Sequence, residues 1–190
     1  MKTFNEKYNL TYKMVLGEIE SAIQSVDQNA LEMLVKDIQG AEDVFLIGVG
    51  RVMMSLEAIC KRLTHLGINA HCVGDITEPA LKKNDLLIVG SGSGESIIPV
   101  AIAKKAKEFG AKIVHIGSNP NGCISQYSDY MVRIPVQTRL YLPDEVKSQQ
   151  IMTSLFEQSL LILGDIIAQI IADDKKLDFK ELWRYHANLE

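Results

Sequence analysis

A short loop of serines and glycines, Ser91-Gly92-Ser93-Gly94-Glu95-Ser96, is the part of the sequence best suited to bind a ligand. It follows the apolar run 86–89 and precedes a segment, 97–109, with helical spacing, so a buried strand should lead through the loop into a helix. Unpaired N–H groups and the positive dipole end at a helix N-terminus suit phosphate, while glycines allow close approach and serines add donors. A plain strand-to-helix turn would have a similar composition. The phosphate-binding residues predicted here are Ser91, Gly92, Ser93, Gly94 and Ser96.

A second glycine turn, Gly48-Val49-Gly50-Arg51, follows an earlier apolar strand and is predicted to form the opposite wall of the same cleft. We assign Gly50 and Arg51 to substrate binding, because a guanidinium beside a phosphate is favourable. A solvated arginine, or one paired with a carboxylate, is the alternative. The turn also matches the start of a dinucleotide-binding fingerprint, but Met53 stands where the third glycine is needed. A nicotinamide or flavin site is therefore the weaker interpretation.

Glu157 and His186 are the residues best placed to move protons. Glu157 lies beside a polar stripe on a predicted helix, 150–172, at the edge of an otherwise apolar surface. A carboxylate partly withdrawn from water suits a general base or acid, although an edge residue reaching solvent would occupy the same position. His186 lies in the segment 186–190, and no helical or strand periodicity accounts for it. Considered alone, it would be an ordinary surface histidine.

The elements that must position these residues alternate between strands and helices after an initial pair of helices. Strands are predicted at 43–48, 69–73, 85–89, 112–116 and 130–134, and helices at 5–26, 28–39, 53–66, 96–109, 150–172 and 178–185. This alternation predicts an α/β fold with a flavodoxin-like, doubly wound, five-stranded parallel sheet and helices on both faces. Ligands of such sheets bind at the carboxyl ends of strands, where both glycine loops lie. The length of 190 residues suits one domain, with N-terminal helices (5–39), a sheet core (43–134) and C-terminal helices and tail (150–190).

Charge and composition disfavour several kinds of partner. The formal net charge is −4 and Lys and Arg form no block, so we expect no nucleic acid ligand. Residues 1–13 are polar, and no apolar run reaches the length of a membrane span. The stretch that comes closest, 160–163, is interrupted by Gly164 and Asp165, so neither a signal peptide nor a membrane partner is expected. The three cysteines have no metal-ligand spacing, which is typical of reduced thiols and predicts a cytoplasmic location.

The strand, the loop 91–96 and the following helix resemble the phosphate loop of sugar isomerase (SIS) domains, which usually have Thr where Ser96 stands. Within that group the chain is similar to the 6-phospho-3-hexuloisomerase family. The similarity begins near residue 40 and lies in the segments 48–51, 62–67, 73–75, 154–158 and 186–190. The loop is specific for the superfamily, whereas the last two segments are specific for the hexuloisomerase branch.

This resemblance implies an activity and a role for each matching residue. The reaction would interconvert 3-hexulose 6-phosphate and fructose 6-phosphate through a 2,3-enediol, in formaldehyde assimilation by the ribulose monophosphate route. The phosphorylated sugar would be the only small-molecule partner, and the protein would be a homotetramer with no metal and no organic cofactor. Ser91, Ser93 and Ser96 would hold the phosphate, and Glu157 and His186 would be the acid–base pair.

Three departures from the family pattern concern the ligand pocket. The first loop of the family continues Gly-Arg-Ser-Gly, and its serine helps to bind phosphate, but Val52 and Met53 stand here. Gln-Pro-Met-Gly is replaced by Gln-Ile-Met-Thr at 150–153, and Ser96 replaces a threonine. Loss of one charge-assisted hydrogen bond costs about 1.5–3 kcal/mol. A non-catalytic sugar-phosphate sensor, and an isomerase of a different sugar phosphate, therefore stay open as alternatives.

Overall fold

Five parallel strands form one sheet in the computed structural model, which describes residues 1–189. The strands are β1 (Val44–Ile47), β2 (Ala70–Cys72), β3 (Leu86–Gly90), β4 (Lys112–Gly117) and β5 (Tyr130–Arg133). Their order across the sheet is β2-β1-β3-β4-β5, with every neighbouring pair parallel. The predicted flavodoxin-like α/β fold is therefore confirmed, and the order reverses between β1 and β3, where ligands of such folds bind.

Helices cover both faces of the sheet. They are α1 (Phe4–Gln24), α2 (Gln28–Gly40), α3 (Gly50–His65), α4 (Ile97–Phe109) and α5 (Ser154–Asp174), with 3-10 helices at Cys123–Gln126 and Glu181–Tyr185. Successive side chains of a strand point to opposite faces. Val44 and Leu46 accordingly pack among α1, α2, α3 and α5, while Phe45 and Ile47 pack in a smaller core with α4.

The long helix α5 lies at the centre of the larger core. It packs against α3 so closely that a Cβ added at Gly164 would lie 2.2 Å from Ile59 Cγ1. By length and composition alone, α5 could cross a membrane, but 61% of that stretch is buried inside the protomer. A core helix has this combination of hydropathy and burial.

Three helix starts lie three or four residues from the predicted ones, whereas the other boundaries agree within two residues. Helix α3 begins at Gly50 instead of residue 53, because the positive φ of 58° at Gly50 turns the chain directly from the strand end into the helix. Helix α5 begins at Ser154 instead of residue 150, since Met152 adopts a left-handed φ of 55° that an α-helix cannot include. The last predicted helix, 178–185, is a short 3-10 helix from Glu181.

Candidate active site

An open cleft of about 450 Å³ lies at the carboxyl ends of β1 and β3, between the starts of α3, α4 and α5. Its walls bring together most of the residues that the sequence predicts for the site. Those lining the cleft are Arg51, Ser91, Gly92, Ser93, Ser96 and Glu157. Gly50 and Gly94 do not line it, but both have positive φ angles, 58° and 70°, that shape the turns carrying the lining residues.

The serine loop leaves the N-terminus of α4 open to a ligand. Ser96 is the N-cap residue of α4, yet its side chain makes no capping hydrogen bond. Ser91 is buried, and its Oγ accepts a hydrogen bond from Gly94 N at 3.1 Å and lies 3.2 Å from Ser96 Oγ. The start of α4, which Ser96 and Ile97 bring to the cleft, therefore has N–H groups without a side-chain cap, an arrangement suited to an anion.

Residues in β4 and in the loop after it hold the serine loop through hydrogen bonds to its backbone, which the sequence analysis did not predict. Burial lowers the pKa of His115, so its ring is neutral near pH 7. The ring Nε2 lies 2.9 Å from the carbonyl oxygen of Ser91 and must carry the proton, because a carbonyl can only accept. Asn119 Nδ2 donates to Ser93 O at 2.9 Å, and Asn119 N donates to Gly92 O at 3.0 Å. No local pattern predicts these contacts, because they join loops of different strands.

Glu157 lies in the first turn of α5, with only 7% of its surface exposed. Its Oε2 is ion-paired with Arg51, and its Oε1 accepts a hydrogen bond from Thr153 Oγ1 at 2.9 Å. Arg51 thus both lines the cleft and pairs with a carboxylate, which was the alternative considered from the sequence. Thr153 stands where the resembling family has glycine, and sequence analysis did not anticipate its contact. Two donors therefore fix the orientation of the Glu157 carboxylate.

His186 lies in a different part of the protomer. Its ring stacks on His65, with centroids 5.3 Å apart, and lies 5.2 Å from the ring of Trp183. On the α5 side, the surrounding cavity is lined by Asp165, Ala168, Gln169 and Ala172. These follow Glu157 by eight to fifteen positions, about 12–22 Å along the helix axis. One protomer therefore does not bring Glu157 and His186 together; the last residue of the predicted tail segment, Glu190, lies outside the described residues.

Val52 occupies the cleft wall where the family resemblance calls for serine. Its side chain packs against the strand ends, so that a Cβ at Gly90 or Gly48 would lie 3.1 or 3.2 Å from Val52 Cγ1. The first loop therefore offers no hydroxyl at this position.

Sequence analysis missed Thr138 and Arg139, which enter the cleft from the segment between β5 and α5. That segment, 135–148, contains prolines and no regular periodicity, so it was predicted only as a connecting loop. Within residues 1–189, no three His, Cys, Asp or Glu side chains are close enough together to hold a metal ion.

The flavodoxin-like sheet with a serine loop at its switch point is the arrangement found in phosphosugar-binding domains. The family model for the SIS domain matches residues 37–165, and the chain belongs to that family.

Relatives whose names state an activity indicate which members of the SIS family this chain is similar to. The chain is 33% identical over 176 residues, 93% of its length, to the 3-hexulose-6-phosphate isomerase of Bacillus subtilis, of which it covers 95%. It is also 33% identical over 190 residues, its whole length, to the enzyme of the same name from Mycobacterium gastri, again covering 95%. A crystal structure from Methanococcus jannaschii, for which a 3-hexulose-6-phosphate isomerase function has been inferred, superposes with a TM-score of 0.82 at 31% identity, covering 95% of this chain and 99% of that one.

Proposed function

We propose that the protein is a phosphosugar isomerase that interconverts 3-hexulose 6-phosphate and fructose 6-phosphate. The observation that carries this proposal is the buried carboxylate of Glu157 in one cleft with the open N-terminus of α4 and its serine loop. The names of the full-length relatives support the same reaction. The active unit would be one SIS domain, 1–190, acting in the cytoplasm without a metal or an organic cofactor.

The cleft is suited to an enediol mechanism. The substrate phosphate binds the Ser91, Ser93 and Ser96 loop, which places the sugar chain toward Glu157. Glu157 removes the proton from C2 while the C3 carbonyl oxygen takes up a proton, giving a 2,3-enediol. The C2 hydroxyl then loses its proton as a proton returns to C3, which leaves the carbonyl at C2. One group must move the carbon-bound proton and another the oxygen-bound proton.

The second group is proposed to be His186, with the two roles open to exchange. Since His186 lies far from Glu157 in its own protomer, the proposal requires the His186 of a neighbouring subunit. A stripe of exposed apolar side chains along α1 is a suitable contact surface for such an assembly: Phe4, Tyr8, Tyr12 and Leu16. The resemblance to the hexuloisomerase family gives the number of subunits as four.

Turnover by two single variants tests this assignment. In Glu157→Gln and His186→Ala, kcat for fructose 6-phosphate formation should fall at least about 10²–10⁴-fold, with a smaller change in KM, because acid–base groups act mainly in the transition state. Glu108→Gln removes an exposed carboxylate that pairs with Lys105 outside the cleft and is the matched control. Near-normal rates in the first two variants would remove both residues from the mechanism.

Val52 favours a second candidate, a sugar-phosphate sensor that binds without turnover. The missing hydroxyl would weaken a phosphate contact, as the departures from the family pattern already suggest. A panel of hexose, pentose and heptose phosphates, tested both for thermal stabilisation and for conversion, separates the candidates. Stabilisation without conversion of any sugar supports the sensor, whereas conversion of another sugar phosphate supports an isomerase of different specificity.

A further inference from the structure

We infer that Arg139 binds the substrate phosphate and supplies the donor that Val52 lacks. This inference rests on the proposed function only for the identity of the substrate that carries the phosphate. Arg139 lines the same cleft as Ser91, Ser93 and Ser96, although it comes from a segment 40 residues further along the chain. A guanidinium that lines this cleft offers paired donors to a phosphate held by the serine loop.

A buried carboxylate fixes the turn that carries Arg139. Glu145 is 8% exposed and accepts hydrogen bonds from Thr138 Oγ1 at 2.9 Å, Thr138 N at 3.1 Å and Leu142 N at 2.9 Å. Tyr141 N donates to Thr138 O at 3.2 Å and closes the turn around residue 139. The backbone at Arg139 is therefore anchored on both sides, so the cleft wall is a built feature of the fold.

The base of this segment is tied to the sheet as well. Val136 and Val146 form an isolated parallel bridge, with Gln137 N donating to Val146 O at 2.9 Å. Ser118 Oγ, at the end of β4, donates to Val136 O at 2.7 Å. The segment that carries Arg139 is thus held by hydrogen bonds within itself and to Ser118 after β4, which limits the entropy lost when a ligand binds.

The two arginines that line the cleft, Arg139 and Arg51, differ in their ion pairing. The guanidinium of Arg51 is paired with Glu157. Within residues 1–189, Arg139 makes no ion pair, and its charge helps to lower the pKa of Glu95, after the larger effect of hydrogen bonding to Cys123. Arg139 therefore has donors left for an incoming dianion in the cleft that it lines together with the serine loop.

Inorganic phosphate is the direct probe of this role. In Arg139→Gln, the Kd for inorganic phosphate, measured by calorimetry, and the KM for 3-hexulose 6-phosphate should each rise about 10- to 100-fold, as expected for one charge-assisted hydrogen bond. The kcat should change less than about threefold, because the contact is made equally in ground and transition states. Arg139→Lys, which keeps the charge without the bidentate fork, should be intermediate.

Two further variants control the experiment. Lys147→Gln removes a positive charge from the same segment outside the cleft and should leave phosphate binding unchanged. Val52→Ser in the Arg139→Gln background restores a hydroxyl to the first loop and should recover part of the lost affinity. The melting temperature without ligand checks that each variant is folded.

The outcomes of the two proposals are distinct. A folded Arg139→Gln variant with unchanged phosphate Kd overturns the inference, as does an equal loss in Lys147→Gln, which would indicate a general field effect. If the unmodified protein converts no hexulose phosphate while Arg139→Gln still weakens phosphate binding, the isomerase proposal fails and the role of Arg139 stands.

Discussion

At the scale of single residues, the buried ring of His115 connects the serine loop to protein stability. Since burial lowers its folded-state pKa, the unfolded chain binds more protons between that value and the usual pKa of about 6.5. The contribution of His115 to stability is therefore complete above pH 6.5 and is lost as the pH falls below it. The hydrogen bond to the Ser91 carbonyl opposes this shift because it favours the protonated ring, but the cost of burying the charge is larger, so the pKa is lowered.

We predict that His115→Gln flattens this pH dependence. Urea unfolding of both proteins between pH 5 and pH 8 should show a free energy of unfolding that declines more steeply at acid pH in the unmodified protein. One group contributes at most about 1.4 kcal/mol per pH unit. Glutamine keeps a donor for Ser91 O but does not titrate. Parallel stability curves for the two proteins would contradict the assignment of a neutral, buried His115.

Thr153 is predicted to be a positioning residue for Glu157. Thr153→Val keeps the shape of the side chain but removes the hydrogen bond to Glu157 Oε1, so kcat for isomerisation should fall about tenfold, the effect of one hydrogen bond to a charged group. KM should change little. Thr153→Ser keeps the hydroxyl and should retain most of the rate. An equal loss in both variants would indicate a packing effect instead.

At the scale of elements, the loops after β3 and β4 meet backbone to backbone. A Cβ added at Gly122 would lie 2.6 Å from Gly94 Cα and 2.7 Å from Ser93 O. The φ of Gly122 is −69°, which any residue can adopt. Glycine is therefore required there by the close approach of the serine loop and not by backbone strain. The position of the serine loop therefore depends on a glycine outside every motif that the sequence analysis identified.

Gly122→Ala should displace the serine loop. We expect a loss of about 1–3 kcal/mol in stability, as for overpacking, together with weaker stabilisation by inorganic phosphate. Gly17→Ala is the matched control, because nothing lies within 4 Å of a Cβ added there. Calorimetric melting with and without phosphate measures both effects. Unchanged phosphate binding in a destabilised Gly122→Ala protein would show that the loop adjusts without losing its function.

Sequence patterns predicted the strands and their order because apolar runs, small-residue loops and helical spacing are local signals. The same signals located Glu157 and the serine loop. Arg139 and Thr153 could not be predicted, because both lie in irregular backbone that has no periodic signal. Arg139 is carried by a turn that Glu145 holds, and Thr153 directly precedes α5, where it bonds Glu157. The distance between His186 and Glu157 likewise depends on how the final 3-10 helix packs against α3 and α5, which no periodicity encodes.

At the scale of the whole molecule, the proposed site is complete only in an assembly. A mixture of Glu157→Gln and His186→Ala subunits, unfolded and refolded together, should regain activity that neither variant has alone. With random assortment, about one quarter of the sites would combine an intact Glu157 with an intact neighbouring His186. Fructose 6-phosphate formation measures the recovery, and mixing either variant with itself is the control. No recovery in a mixed oligomer would mean that the two residues do not share a site.

The exposed stripe on α1 should be required for association. Tyr8→Glu together with Tyr12→Glu places two charges on an aromatic ladder whose ring centroids are 5.6 Å apart. Light scattering at micromolar concentration should then give a smaller mass than for the unmodified protein, and isomerisation should be lost with it. Lys13→Glu, also on α1, controls for added negative charge. A monomeric mass for the unmodified protein itself would contradict the proposed tetramer.

Helix α5 carries Glu157 at one end and borders the cavity of His186 toward the other, so its length sets the spacing between the two proposed half-sites. A substitution on its surface alters one local contact and leaves this spacing intact. One residue inserted between positions 157 and 165 would advance the far half by about 1.5 Å and rotate it by about 100°, so that both half-sites could not face their partners at once. An insertion or deletion in this part of α5 should therefore reduce activity more than a single surface substitution.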